Sequence, residues 1–282
     1  MTKASILKIV SLLMVLAFLG CASNDQYSIE KKYWKIKKLG EKIFKNPAAS
    51  PPHELEQVVK RTDAFIVENS KNPLAIEASF NTARLYIVKE EYDSARKQLQ
   101  KILQANKKSP VICSEALFLI GNTYQLQDKW SAALEQYKKI TREYPTTVKA
   151  LDIPIFIAQY YKVKYQPEKM LAAYQDAIGQ YKTLIEAYPN SLLAFNAYLL
   201  VSQCYIAIKD WQMAAKTFET VIEKFNGKAK MDGAMFEMAI IYAKQLKDKG
   251  KAQEILTRLN KEYPKSRYSK VSALLLKELN KP

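Results

Sequence analysis

Covalent and metal chemistry have little to work with in this chain of 282 residues. His53 is the sole imidazole, placed after Pro51 and Pro52 at a helix start, and one histidine supplies neither a metal site nor a triad. The glycines from Gly40 onward (Gly121, Gly179, Gly227, Gly233, Gly250) are isolated, so there is no phosphate-cradling loop. Acidic pairs such as Glu90 and Glu91 read as surface, and no motif carries a two-carboxylate enzyme. No catalytic residue, metal or cofactor is expected. The chemistry that remains is hydrogen bonding. A side-chain amide both donates and accepts, and the chain spaces three of them, Asn122, Gln159 and Gln203, at intervals of 37 and 44 residues. Phe80, Phe118, Ile155, Leu199 and Phe236 recur with them as an apolar rail.

Composition says what must position these groups. With 48% hydrophobic residues, three cysteines and only seven glycines, the chain is neither collagen-like, nor a disulfide framework, nor disordered by charge. Glycine is too scarce for sandwiches, barrels and doubly wound sheets, whose turns need positive φ. An all-α protein is expected.

The organising feature is self-similarity. A small residue precedes tyrosine by three positions at Ala83 and Tyr86, Gly121 and Tyr124, Ala158 and Tyr161, Ser202 and Tyr205, and Ala239 and Tyr242, with the tyrosines at intervals of 38, 37, 44 and 37 residues. A second small residue follows (Ala95, Ala133, Ala177, Ala214, Ala252), and four positions on comes Leu99, Tyr137, Tyr181, Phe218 or Leu256. A four-residue step keeps both side chains on one helical face. Breakers close each unit at Pro110, Pro145, Pro189, Asn226 and Pro264.

This pattern resembles the tetratricopeptide repeat, a helix-turn-helix unit with small-x-x-Tyr, Ala-x-x-x-aromatic and a closing Pro. Five such units are expected at 74–110, 111–145, 146–189, 190–226 and 227–264, after a degenerate helical pair at 28–73 and before a capping helix at 265–282. The resemblance implies a right-handed superhelical solenoid of about six hairpins. It also implies a concave face lined by the first helix of each pair. Residues directly after the small position (Arg84, Asn122, Gln159, Gln203, Ile240), with Gln125 and the rail at Phe80, Phe118, Ile155, Leu199 and Phe236, then form a peptide groove; the alternative is ordinary exposed polarity beside inter-repeat packing. The 44-residue interval exceeds 37 by seven, about two helical turns, so the helix from Pro167 should be long, either as a docking knob or as an accommodated insertion. Pro154 implies a kink or a late helix start. Cys113 and Cys204, two units apart, are expected as free buried thiols.

The first twenty residues have Lys3 and Lys8 ahead of an apolar run from Ile9 to Leu19, built as a secretory signal and short for a membrane span. Phe18-Leu19-Gly20-Cys21 resembles the lipobox of bacterial lipoproteins, implying lipidated Cys21, a linker over 21–27, and an outer-membrane anchor facing the periplasm; an ordinary cleaved signal is the alternative. The full chain carries a net charge of +16; without Lys3 and Lys8 a tethered envelope protein keeps 42 basic against 28 acidic side chains, a balance of +14 that addresses anionic lipid, peptidoglycan carboxylates or acidic partners, and no nucleic acid is expected. Lys31, Lys35, Lys38 and Lys42 either make that contact or form a solvated helix face with Tyr33, Trp34, Ile36, Leu39 and Ile43 packed inward. Anchor plus repeats resembles the BamD-type lipoproteins of the outer-membrane β-barrel assembly machinery, which implies a scaffold binding protein or peptide segments of envelope proteins. Alternatives are a Tol-associated cell-division coordinator, a pilus or secretin pilot, and, from another class, an envelope enzyme with a repeat body.

Overall fold

The computed structural model describes residues 25–281, and among them the chain is helix and short connection, with no strand. The expected signal at 1–20 and the lipidation site Cys21 lie outside the described residues. Helices pair in sequence. α1 (25–45) and α2 (Pro52–Glu68) come first, followed by α3 (Pro73–Val88) with α4 (Tyr92–Ala105) and α5 (Pro110–Leu126) with α6 (Trp130–Glu143). Next are α7 (Val148–Val163) with α8 (Pro167–Ala187), α9 (Leu192–Ala207) with α10 (Trp211–Phe225), and α11 (Asp232–Ile240) with α12 (Lys249–Glu262); α13 (Arg267–Leu279) closes the order. The chain divides into two compact units, ending at Lys139 and starting at Ile140, inside α6.

Small residues let the helices close. Ala83, Ala95, Ala133, Ala158, Ala177, Ala214, Ala239, Ala252 and Ser202 are all fully buried, as are Leu99, Tyr137, Tyr181 and Leu256 four positions beyond the second small residue. A helix that presents no side chain beyond Cβ admits a neighbour at about 8 Å, and the bulky residue one turn on fills the space beside it. Tyr181 also donates its hydroxyl to the Leu151 carbonyl at 2.6 Å.

The hairpin turns repeat as closely as the core. Glu90, Asp128, Tyr165 and Lys209 each lie seven residues after the small position and each has φ near +60°. In the last hairpin the same left-handed turn residue, Lys247, comes eight after Ala239. The extra residue is absorbed by a π-helical turn at Ile241–Gln245, whose wider winding holds one residue more than an α-turn. The seven additional residues of the 44-residue interval lie in α8, which has 21 residues against 14 in α6.

Three local expectations change. Pro110 is the first residue of α5 and opens that helix, where its missing N–H has no partner to lose. α7 starts at Val148, capped by Thr147, so Pro154 lies inside the helix and not at its start. Trp34 is 58% exposed instead of packed inward. Tyr33, Ile36 and Ile43 form the buried seam of α1 with Leu55, Val58 and Phe65, and one residue beyond Tyr33 is about 100° around the helix, off that seam.

Cys113 and Cys204 are free and buried. Burial pushes the Cys204 thiol up to about 12, because the thiolate would lose its hydration. Because both are buried, the two thiols should resist an alkylating reagent at pH 8 in the native protein and react within minutes in 6 M guanidinium. Rapid labelling of either in the folded chain, read by mass spectrometry, would contradict this packing.

Candidate functional site

In the first unit the expected groove residues are engaged in packing. Phe80 is 7% exposed and belongs to a core with Leu99, Ile102, Leu119 and Ile120, so it is interior and not an open wall. Arg84 lies over its ring at 5.7 Å, donates to Asn81 Oδ1 at 3.3 Å, and pairs with Glu115 at 3.1 Å. Phe118 is half-buried with its ring 5.8 Å from that of Tyr137. Gln125 accepts the Tyr137 hydroxyl at 3.1 Å, which satisfies a phenol inside the hairpin. Asn122 is half-buried.

In the second unit Ile155 packs on the core and Gln159 is exposed, both on α7. Leu199 and Gln203, one turn apart on α9, do share a cavity. It is a groove of about 860 Å³ bounded also by Phe195 and Ile206 of α9, Phe218 of α10, the start of α11 and the connection into α13. α9 is set at this edge by its own sequence. Ser191 caps it by accepting from the Ala194 amide at 3.0 Å, Ala194, Ala197, Val201 and Cys204 face the core, and Gln203 is left exposed.

The opposite wall is tied down by polar contacts that the sequence did not announce. Ser266 donates to Asp232 Oδ2 at 2.6 Å while accepting from the Tyr268 amide at 3.0 Å. The Tyr268 ring stacks on Phe236 at 5.1 Å, so Phe236 braces the groove from behind. Gly233 lies beneath the same ring, where even an added Cβ would make only ordinary contact at 3.4 Å. Arg267 lies over the same ring at 4.7 Å. Lys230 and Lys265 add positive charge to the rim, with Glu237 as the counter-charge on α11.

Of the eleven expected groove positions, the structure brings Leu199 and Gln203 together with Phe236 behind them. Lys230, Asp232, Lys265, Ser266, Arg267 and Tyr268 were missed because they sit in connections or at the first residues of the helices that follow them, at positions the repeat signature does not specify. The one signal available was a serine followed by Arg and Tyr just after Pro264, where a capping helix begins. An apolar floor with one free-standing amide and a mainly basic rim suits an extended segment that presents apolar and acidic side chains. Among the described residues no group of three or more His, Cys, Asp or Glu could hold a metal ion, and no helix is long and apolar enough to cross a membrane.

Comparison with known proteins agrees with the repeat register. Residues 115–147, 196–225 and 233–266 match the tetratricopeptide repeat family, and the chain carries such repeats there. Among solved structures it is similar to YrrB, a TPR protein with an unusual peptide-binding site (20% identity, 77% of this chain and 97% of that one, TM-score 0.39). It is also similar to BtubC from P. vanneervenii (16%, 83% and 90%, 0.43) and to a thermophilic TPR protein from Thermus thermophilus (17%, 72% and 100%, 0.41). No curated protein matches the chain.

Proposed function

We propose that this chain, with its tetratricopeptide repeats, is a periplasm-facing, lipid-anchored outer-membrane scaffold that receives protein segments in a BamD-like role during outer-membrane protein assembly. The envelope address rests on Lys3, Lys8, the apolar run to Leu19 and Cys21. The binding role rests on one observation, the groove beside α9. There an incoming chain would lay an apolar side chain against Leu199 and Tyr268, pair its backbone with the Gln203 amide, and place acidic residues near Lys230, Lys265 and Arg267.

The test is a crosslinked pull-down of the full-length protein from its native envelope, with retained proteins identified by mass spectrometry. Recovery of a barrel-assembly subunit together with assorted outer-membrane barrels is the expected result. A single secretin, pilus or Tol component would replace this role with that of an envelope adaptor. Leu199→Ala combined with Gln203→Ala should weaken the captured partner roughly tenfold, since one apolar anchor and one hydrogen bond together contribute somewhat more than 1 kcal/mol at a binding surface. An unchanged affinity would remove the groove from the proposal.

A further inference from the structure

The exposed side of α1 carries a second surface, separate from the groove. Tyr27, Lys31, Trp34, Lys35, Lys38, Lys42 and Lys45 follow one another at helical spacing and fall within about 100° of the helix circumference. Tyr33, Ile36 and Ile43 occupy the opposite side, where they pack on α2 and α3. The stripe is therefore left over after the fold has taken what it needs from α1.

Its rings are uncovered: Tyr27 is 63% and Trp34 58% exposed. Lysines lie against both, Lys31 at 5.8 Å from the Tyr27 ring centroid and Lys38 at 5.5 Å from that of Trp34. Lys38 also meets Glu41 at 3.3 Å, at the edge of the stripe. Among the described residues, Lys31, Lys35, Lys42 and Lys45 have no ion-pair partner. Arg61 of α2 extends the charge, and with Trp34, Lys35, Lys38 and Lys42 it bounds a shallow depression of about 490 Å³.

We infer that this face of α1 lies flat on an anionic phospholipid bilayer, with the lysines and Arg61 at the headgroup phosphates and Trp34 and Tyr27 at the acyl boundary. Lysines alone would suit any anionic surface, peptidoglycan included. The rings decide between them, because an exposed tryptophan gains by entering an apolar boundary, where its body is dry and its N–H stays wet, and a hydrated polymer mesh offers no such phase. Long lysine stems flanking the rings keep their ammonium groups in the headgroup layer as the rings descend. The inference goes beyond the groove and does not require acylation of Cys21.

The experiment uses the full-length chain with vesicles of phosphatidylcholine, with or without phosphatidylglycerol, carrying a spin-labelled lipid that quenches tryptophan near the headgroups. Residues 1–24 contain no tryptophan, so the apolar leader contributes no emission of its own. Quenching is expected on the anionic vesicles only, should fade with added salt, and should be lost in Trp34→Phe. Replacing Lys35, Lys38 and Lys42 by Gln should lower the anionic-vesicle partition roughly a hundredfold, at about fivefold per lysine near such a surface. Equal quenching on neutral vesicles, quenching that survives Trp34→Phe, or unchanged partition of the triple variant would each overturn the inference. Loss of binding to isolated peptidoglycan sacculi in the triple variant with vesicle partition unchanged would do so too, and would assign the face to the polymer.

Discussion

Gly121→Ala should destabilise the protein by about 2 kcal/mol, against the usual gain when alanine replaces glycine inside a helix. A Cβ at this position would stand 2.4 Å from Tyr137 Cε1, 2.8 Å from Cδ1 and 2.9 Å from Cζ. No carbon pair tolerates the first of these distances, so the ring would have to move. It has nowhere to go: Tyr137 is fully buried, its hydroxyl is donated to Gln125, and its ring lies 5.8 Å from that of Phe118 and 6.0 Å from that of Trp130. Forcing one methyl into such packing costs about 3 kcal/mol, and the helix-propensity gain of about 1 kcal/mol offsets only part of it. Denaturant unfolding would read the difference. Tyr137→Leu in the same chain should recover part of it, so the two substitutions should be strongly non-additive. A Gly121→Ala protein as stable as the parent would show that the ring yields.

The second large effect is expected at Arg96, the one buried charged side chain among the described residues. Its guanidinium donates to Thr123 Oγ1 at 3.0 Å and to Gln127 Oε1 at 2.9 Å, pairs with Asp93, and lies 4.4 Å from the centroid of the Tyr124 ring. A planar fork can bond at its edge and stack by its face at the same time, whereas an ammonium can do one or the other. Arg96→Ala should cost about 3 kcal/mol, through lost packing of the stem and two partners deprived of their donor. Arg96→Lys should recover less than half of that. Asp93 is almost fully exposed and solvated without its partner, so Asp93→Asn should cost under about 1 kcal/mol. If Asp93→Asn proved as damaging as Arg96→Ala, the ion pair within α4, and not the fork's contacts to Thr123 and Gln127, would account for the loss.

These two residues show where sequence periodicity stops being informative. Gly121 was legible as a small position because Ala83, Ala158, Ser202 and Ala239 occupy the same place, but its requirement for glycine comes from Tyr137 filling the space that alanine leaves open elsewhere. Arg96 follows Ala95 in the register and reads as an ordinary surface cation. It is buried because Thr123 on α5 and Gln127 just past the end of that helix happen to point at it. Trp34 erred in the other direction: it reads as core, and the 3.6-residue winding of α1 turns it outward once Tyr33, Ile36 and Ile43 have claimed the seam. The π-helical turn was written in the spacing of Tyr242 and Ala252, ten residues where Tyr86 and Ala95 have nine, and passed unnoticed beside the larger insertion in α8.

By itself the sequence determined the helical class, the pairing of helices, and the small and bulky positions between them. Those properties are periodic, and periodicity survives in one dimension: a helix buries every third or fourth residue wherever it lies. It also contained the pattern at Cys21 on which the proposed envelope location rests, since a leader is read as a linear segment. The groove beside α9 was decided only in three dimensions. Leu199 and Gln203 carry the same register as Phe80 and Arg84, yet the first pair faces open space while Phe80 is buried and Arg84 is committed to Phe80, Asn81 and Glu115. The difference lies in what each helix meets beyond its own hairpin, in particular the Ser266, Asp232 and Tyr268 contacts that brace one wall from α11 and the start of α13. The Ser266–Asp232 bond and the Tyr268–Phe236 stack join residues more than thirty positions apart with no recurrence to reveal them, so no spacing rule contains them.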